Sequence, residues 1–514
     1  MCSNSRLVRI IAARRHVGRL PVASAEGKKL ESLWGISDDL IAVPHGGGGI
    51  IADGRRATPI LIDSAFHEFL DCLKALRQVG PLSFEEIASV VPPELLTHLN
   101  EAGIAYPLSS PLSGQDEKKS DFVHSFNAKS DTLTTFLTLN QYCNLKCVYC
   151  LEGSETYRIS ESLRMSEETA REAVKFMSDH LAFGGRHGIS LFGGEPLLSW
   201  DLGKRIIEFC LSGMKRIRPD ISFDFSMQTN LTFLPRDFCE YAKKHAIRIV
   251  ANIDGPEDIH NRLRPARGSM NSYASTVRCL QELSSAGVDF ELRTTITSLN
   301  VNMLTEIEQL HKSLGATRSV FALLRPVNSD ALVFDNSLFA SPASYRLALE
   351  KLLDTSNDVG NPLRREYGYR LAHYNTMKQA CHASSLGVPT VDVNGDLYTC
   401  SWFVGNPSLK VGSVRDKVVN VEALAIVADA MEIDEWSDCH ECAYRHKCAG
   451  GCAVTRVVSD LAKVQFVTPT SSPAEHYARE MQCAVTKSVV DRLLLETAGL
   501  CRPPPVTSDL GFVS

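Results

Sequence analysis

From residue 132 to about residue 326 the chain alternates between short apolar runs and helical segments, and this alternation constrains the fold more than any other feature. Residues 133–139, 189–192, 221–228, 247–253, 290–297 and 319–324 read as buried strands. Between them the spacing predicts helices from Ser166 to about 181, near 202–211, near 235–245, near 273–286 and over 303–314. A strand that returns through a helix re-enters the sheet in the same direction. Six β/α units in succession therefore imply a parallel sheet, with the chemistry on loops at the C-terminal strand ends. Six units are too few for a closed eight-fold barrel.

The loop after the first run reads Cys143-Asn144-Leu145-Lys146-Cys147-Val148-Tyr149-Cys150, three thiols in a C-x3-C-x2-C array. Thiolates are soft ligands that suit iron–sulfur clusters or zinc. Three supply one ligand too few for a four-iron cluster, so one iron stays open to something that is not protein. A partial zinc site or scattered buried cysteines is the plainer alternative. This spacing at the end of a first strand resembles the radical S-adenosylmethionine (SAM) superfamily. The resemblance implies an α/β fold with a partial (β/α)6 radical SAM barrel. It also implies a 4Fe–4S cluster on Cys143, Cys147 and Cys150 whose open iron is chelated by the amino and carboxylate groups of SAM.

Other segments fit the same resemblance. Leu191-Phe192-Gly193-Gly194-Glu195-Pro196 matches the family's GGE motif directly after a strand. Gly193 and Gly194 let backbone approach the ligand without a Cβ, and Glu195 is expected to receive the ammonium of SAM. Ser226-Met227-Gln228-Thr229-Asn230 resembles the third-strand QTN segment. Ala251-Asn252-Ile253-Asp254-Gly255-Pro256 resembles the S-x-D-G-P segment, with Asn252 where serine is usual. The resemblance pairs Arg293 with a SAM carboxylate or ribose, the alternative being an ordinary outward strand arginine. It sets Tyr149 near the adenine, the alternative being plain packing.

Sixteen cysteines are many for 514 residues, and seven more fall in the C-terminal third: Cys381, Cys400, Cys439, Cys442, Cys448, Cys452 and Cys483. Residues 391–398 read as a β-hairpin with an Asn394-Gly395 turn, which brings Cys381 and Cys400 together. Residues 439–452 read as a helical-turn knuckle, for which zinc is a competitor. The order resembles the SPASM extension, an iron–sulfur domain for two auxiliary 4Fe–4S clusters. By that resemblance Cys439, Cys442, Cys448 and Cys483 close one cluster. Cys381, Cys400 and Cys452 hold the other, with a position left for a substrate group, solvent or His382. Cys2, Cys72, Cys210, Cys239, Cys279 and Cys501 read as buried or surface thiols.

Apolar content of 44% and charged content of 22% belong to a soluble globular chain, and a net charge of −6 offers no reason to expect nucleic acid. No run approaches the roughly eighteen apolar residues of a membrane span. The first twenty residues carry Arg6, Arg9, Arg14, Arg15 and Arg19 without the apolar core of a signal peptide. A cytoplasmic protein whose clustered cysteines serve metal is expected. The length implies several domains. We divide it as an N-terminal domain 1–108, a linker 109–131, the barrel 132–330, a helical bridge 331–380, the auxiliary-cluster domain 381–500 and a disordered tail 501–514. Within the first, residues 1–40 carry no clear period, 46–49 read as a flexible glycine turn and 59–62 as a strand. Helices follow over 66–76, 84–91 (capped by Ser83 and broken by Pro92 and Pro93) and 94–102. Strands followed by three short helices resemble the winged-helix PqqD-like modules that bind leader peptides. A structural cap or a nucleic-acid-binding winged helix stays open. A bound peptide would add to the sheet edge.

The resemblance implies that an electron from a reducing protein such as ferredoxin or flavodoxin cleaves SAM to a 5′-deoxyadenosyl radical, which abstracts hydrogen from a C–H bond. Together the segments imply maturation of a ribosomally synthesised peptide by a thioether, C–C or C–O cross-link or a related oxidation. The nearest enzymatic alternative is an anaerobic sulfatase-maturating type that makes formylglycine. Those relatives carry an acidic residue directly after the cysteine equivalent to Cys400, where this chain has Ser401, a poor base. A non-catalytic iron–sulfur electron carrier is the third reading, and the 193–195 motif speaks against it.

Overall fold

The computed structural model describes residues 33–45, 48–54, 58–62, 66–108, 130–150, 164–324, 336–355, 381, 387–429, 439, 442–448, 450–452, 454 and 473–498. Of the expected segments, residues 109–129 of the linker, most of the bridge, the tail, His382, Cys2 and Cys501 lie outside them.

The N-terminal part builds β1 (Leu33–Ile36), β2 (Leu40–His45), β3 (Gly48–Asp53), β4 (Ile60–Ile62), α1 (Phe66–Val79), β5 (Leu82–Ser83), α2 (Phe84–Ala88), α3 (Pro93–Glu101) and β6 (Ala105–Pro107). Its strands form two antiparallel sheets, ordered β2-β3-β4 and β5-β1-β6. Ser83 caps α2 in a capping box with Glu86. That helix ends at Ala88, short of the expected 91, where the Val90 amide shifts to the Ile87 carbonyl three residues back (2.9 Å) and tightens the last turn before Pro92. Gly48 and Gly49 belong to β3 rather than to a flexible turn. A Cβ on Gly49 would stand 2.7 Å from the Phe66 ring and from the Val43 carbonyl oxygen, so the glycine is a packing requirement. Strand β1 escaped sequence reading because its partners are remote: Leu33 pairs with Ser83, and Ile36 with Ala105.

The central part supplies β7 (Ser130–Asn140), α4 (Glu167–Ser178), β8 (Leu181–Gly193), α5 (Trp200–Glu208), β9 (Ser222–Thr229), α6 (Phe238–Lys244) and β10 (Arg248–Asn252). It continues through α7 (Glu257–Leu263), α8 (Ser272–Ser285), β11 (Phe290–Ile296), α9 (Leu304–Ser313) and β12 (Arg318–Leu323). The six strands β7 to β12 are parallel and neighbour one another in sequence order. With right-handed crossovers, sequential order sends every helix to the same face, which curls the sheet into part of a barrel. Strand residues Leu137, Ile189, Ile249 and Leu292 pack there with Val174, Ile206, Phe238 and Leu280 from the helices in one large core.

Helix α10 (Pro342–Thr355) follows, then β13 (Thr390–Val391), β14 (Asp396–Tyr398), β15 (Lys410–Ser413), β16 (Val418–Val419), α11 (Val421–Asp429), α12 (Arg445–Cys448) and α13 (Pro473–Thr497). The expected hairpin is present, turning at Gly395 with φ 91°. It also joins the barrel: β13 runs parallel to β7, Thr390 opposite Phe136, and extends one sheet to ten strands. No helix among the described residues is long and apolar enough to cross a membrane.

Candidate active site

The C-terminal ends of β7 to β11 surround a cavity of about 340 Å³. Cys143, Cys147, Cys150 and Tyr149 line it from the loop after β7, with Gly193 and Gly194 at the end of β8. Gln228, Thr229 and Asn230 enter after β9, Asn252 from β10 and Arg293 from β11. Ser401, Trp402 and Val404, directly after Cys400, complete one wall, and Phe136 and Phe192 form a T-shaped pair in another. Of the sequence-predicted SAM contacts, Tyr149, Gly193, Gly194, Asn252 and Arg293 thus share one cavity with the cysteine triplet.

The cysteine loop is held by residues far away in sequence. Lys146 N–H donates to the Pro265 carbonyl (2.7 Å), Val148 N–H to Leu263 (2.9 Å) and Arg267 N–H back to Asn144 (3.0 Å). Asn230 Nδ2 donates to Asn144 Oδ1 at 2.9 Å and reaches Cys143 Sγ at 3.4 Å. Burial pushes the Cys143 thiol up to about 12, opposed by the Leu145 amide, and burial raises Cys147 as well. Both are therefore thiols until a metal displaces the protons, as metal sites require.

Glu195, expected to receive the SAM ammonium, is not among the residues that line the cavity. Its side chain is wholly buried and accepts from Leu197 N–H (3.0 Å), Thr229 Oγ1 (2.6 Å) and Asn230 N–H (2.7 Å), so it ties β8 to β9 instead of facing the cavity. Burial pushes this carboxyl up to about 7 against those three donors. Of the motif, Gly193 and Gly194 line the cavity. The two glycines answer a second demand too, since a Cβ on either would lie 2.3 Å from the carbonyl oxygen of Asn140 or Tyr142.

Two polar atoms of cavity-lining residues, Thr138 Oγ1 and Asn252 Oδ1, are buried with no hydrogen-bond partner among the described residues. Asn252 spends its Nδ2 on the Thr229 carbonyl (2.8 Å), which leaves the oxygen to accept from a ligand. Buried acceptors of this kind call for a donor from outside the chain.

Arg264 carries no motif of its own and was missed by sequence reading; the signal was an arginine ten residues after Asp254 across one short helix. It lines the cavity, pairs with Asp254 (Nε to Oδ2 2.8 Å) and lies over the Tyr149 ring at 5.4 Å. Tyr149 donates its hydroxyl to Asp254. Burial works against the Asp254 carboxylate, yet Arg264, His260 and Tyr149 hold it below the usual range.

The second cysteine set falls into two groups. Cys381, Cys400 and Cys452 pack in one apolar cluster with Phe403, Val404 and Val454, and the same cluster includes Cys147 and Tyr149. Cys439, Cys442 and Cys448 lie on a turn closed by Cys442 N–H to Cys439 O (3.0 Å) and Cys448 N–H to Tyr444 O (2.8 Å). Cys483, on α13, is exposed but lies near enough to this turn for Cys448, Cys442 and Cys439 to help raise its thiol. Among the described residues no three Cys, His, Asp or Glu side chains close around a single-ion position. Cys72, Cys210 and Cys279 are buried thiols of the packing, and Cys239 is half-buried.

Comparison with known proteins agrees with this geometry. Residues 137–313 match the family described as the radical SAM superfamily. The chain is similar to the uncharacterized protein MJ0907 of Methanocaldococcus jannaschii, 26% identical over 285 residues that cover 55% of this chain and 88% of the relative. It is similar to the cysteine-type anaerobic sulfatase-maturating enzyme of Clostridium perfringens, 22% identical over 326 residues, 60% of this chain and 85% of that enzyme. Among solved structures, native anSMEcpe with bound AdoMet and Cp18Cys peptide shares the fold at a TM-score of 0.57 and 18% identity, covering 72% of this chain and 100% of that one.

Proposed function

Residues 137–313 form a radical SAM domain and the chain is an enzyme of that superfamily, and on that premise we propose that it matures a ribosomally synthesised peptide by radical chemistry. The observation that carries this is the cavity: three thiols share it with two unpartnered acceptors, Thr138 Oγ1 and Asn252 Oδ1. A 4Fe–4S cluster needs the thiols, and the ammonium and hydroxyl donors of SAM suit the acceptors, so the residues present fit both groups. Cys143, Cys147 and Cys150 would hold the cluster. Together the two groups would supply, on one-electron reduction, the chemistry for taking a hydrogen atom from an unactivated C–H bond. The chain's part is placement. The 193–194 backbone and Asn252 orient the aminoacyl and ribose ends, Arg293 offers a cation to a carboxylate, and Phe136, Phe192, Trp402 and Val404 keep water out.

We assign the other seven cysteines to two auxiliary clusters, Cys439, Cys442, Cys448 and Cys483 to one and Cys381, Cys400 and Cys452 to the other. Two separate groups of thiols, one in the apolar cluster around Cys381, Cys400 and Cys452 and one on the 439–448 turn, support two sites. The N-terminal part is assigned as a PqqD-like leader-peptide module, supported by its three short helices beside antiparallel strands and by β4, an outer strand with Leu61 45% exposed beside which an extended peptide can add. A cytoplasmic setting and a ferredoxin or flavodoxin donor complete the reading.

The sulfatase-maturating relatives favour a second reading, modification of a protein residue to formylglycine. Ser401 lines the cavity at the position where that chemistry expects an acid, which weighs against it. Anaerobically reconstituted protein tests the main proposal. About twelve irons are expected, against about four with two or three zincs if the second set is a zinc knuckle. Reduced protein with SAM should release 5′-deoxyadenosine, and Cys147→Ala should abolish it; an iron-loaded wild type that leaves SAM intact sinks the proposal. Co-expression with peptides encoded beside the gene, read by mass spectrometry, separates a cross-link from formylglycine.

A further inference from the structure

We infer that the segment 263–267 is a strap that frames the cysteine loop, and that Arg264 within it is a positioning residue that sets the charge met by the Cys147 sulfur. The inference rests on the reading that Cys143, Cys147 and Cys150 hold the cluster. Three backbone hydrogen bonds, from Lys146, Val148 and Arg267, zip the loop to the strap, and Leu145 bridges Ala266. Arg267 Nε adds a bond to the Cys143 carbonyl at 3.0 Å. The strap is itself fixed, since Ser272 Oγ donates to the Arg264 carbonyl at 2.7 Å and Arg264 N–H to His260 O at 2.7 Å.

The Arg264 side chain does more than neutralise Asp254. Its Nε and Nη2 serve the carboxylate at 2.8 and 3.4 Å, and Nη1 is left to reach Cys147 Sγ at 3.9 Å. An arginine retained only for its ion pair has no need to face a thiol. A cation at a ligand sulfur, in a site where Arg264 is 6% exposed and Asp254 fully buried, is screened little by water. Reduction adds one negative charge to a cluster, so such a cation favours the reduced form, and Asp254 partly offsets it. The two residues therefore act on the cluster with opposite signs, which a purely structural ion pair does not do.

The test is an anaerobic redox titration of the full chain, followed by the EPR signal that changes when SAM is added. Arg264→Gln should lower the midpoint potential of that signal and Asp254→Asn should raise it. Arg218→Gln, which breaks a pair with Asp220 elsewhere on the barrel, should leave it unmoved. Midpoints that stay put in both variants, or move the same way, overturn the inference. Should Arg264→Gln fail to take up iron, Arg264→Lys, which can keep a pair with Asp254 but has no second arm for Cys147, decides: a lowered midpoint supports the role of Arg264 and an unchanged one removes it. A wild type with no SAM-responsive signal would instead take down the cluster reading itself, a result distinct from the first.

Discussion

A methyl group on residue 194 would lie 2.3 Å from the Tyr142 carbonyl oxygen and 2.7 Å from its carbon, both rigid backbone atoms one residue before Cys143. Gly194→Ala must therefore push the cysteine loop away from β8. We expect a loss of about 1–3 kcal/mol, the usual cost of overpacking, together with reduced iron at the first cysteine set. Thermal unfolding and iron analysis check it; a variant that keeps both values would show that the loop yields freely. Residues 193–195 were legible as a motif, but their division of labour was not. Two glycines and an acid announce a turn, whereas only the fold reveals that Glu195 points back into three donors while Gly193 and Gly194 line the cavity.

At the scale of the element, the barrel buries three imidazoles, His187 on β8, His260 on α7 and His311 on α9. His187 of β8 lies between Thr135 Oγ1 (2.8 Å) and Ser178 Oγ (2.9 Å), and burial lowers its pKa to about 3. Burial lowers His260 and His311 to about 4 each. An unfolded histidine titrates near 6.5, so on acidification the unfolded chain takes up protons that the folded one refuses. The stability these groups support is full above pH 6.5 and drains away as pH falls towards 4 and then 3. Each contributes a slope of up to about 1.4 kcal/mol per pH unit in that window. His187→Gln should flatten the fall between pH 6.5 and 4 in thermal unfolding; a slope equal to that of the wild type would refute the assignment. The strand and helix ladder was readable because each element carries its own period and caps, such as Ser166, whose side chain accepts from Thr169 N–H at the start of α4. Strand β1 was not, since four residues carry no period and its partners are remote in sequence; the 391–398 hairpin was legible, but the pairing of its β13 with the distant β7 was not.

At the scale of the whole molecule, the N-terminal hairpin is built into the rest. Ile41, Val43 and Ile50 share a core with Leu304 of α9, Leu349 of α10 and Val489 of α13. Asp39 reaches Arg445 Nε and His446 Nε2, each at 3.0 Å, between Cys442 and Cys448. The Asp39 side chain is 3% exposed, so Asp39→Ala strands a buried cation and should cost about 3–5 kcal/mol. Asp38→Ala, at a side chain 77% exposed, should change stability by less than about 1 kcal/mol. Calorimetry of the two variants compares them, and equal melting temperatures would mean that the contact bears no load.

The sequence alone determined that this chain holds a parallel β/α array with three thiols at its leading strand end and seven more in two spacings downstream, because strand, helix and ligand spacings are local properties of the chain. The tertiary structure decided which distant groups meet. It zipped the cysteine loop to the strap at 263–267, set Arg264 against Cys147, turned Glu195 inward and laid β13 beside β7 so that Ser401 and Trp402 wall the same cavity. Such meetings depend on which surfaces bury one another, and a one-dimensional pattern carries no record of that.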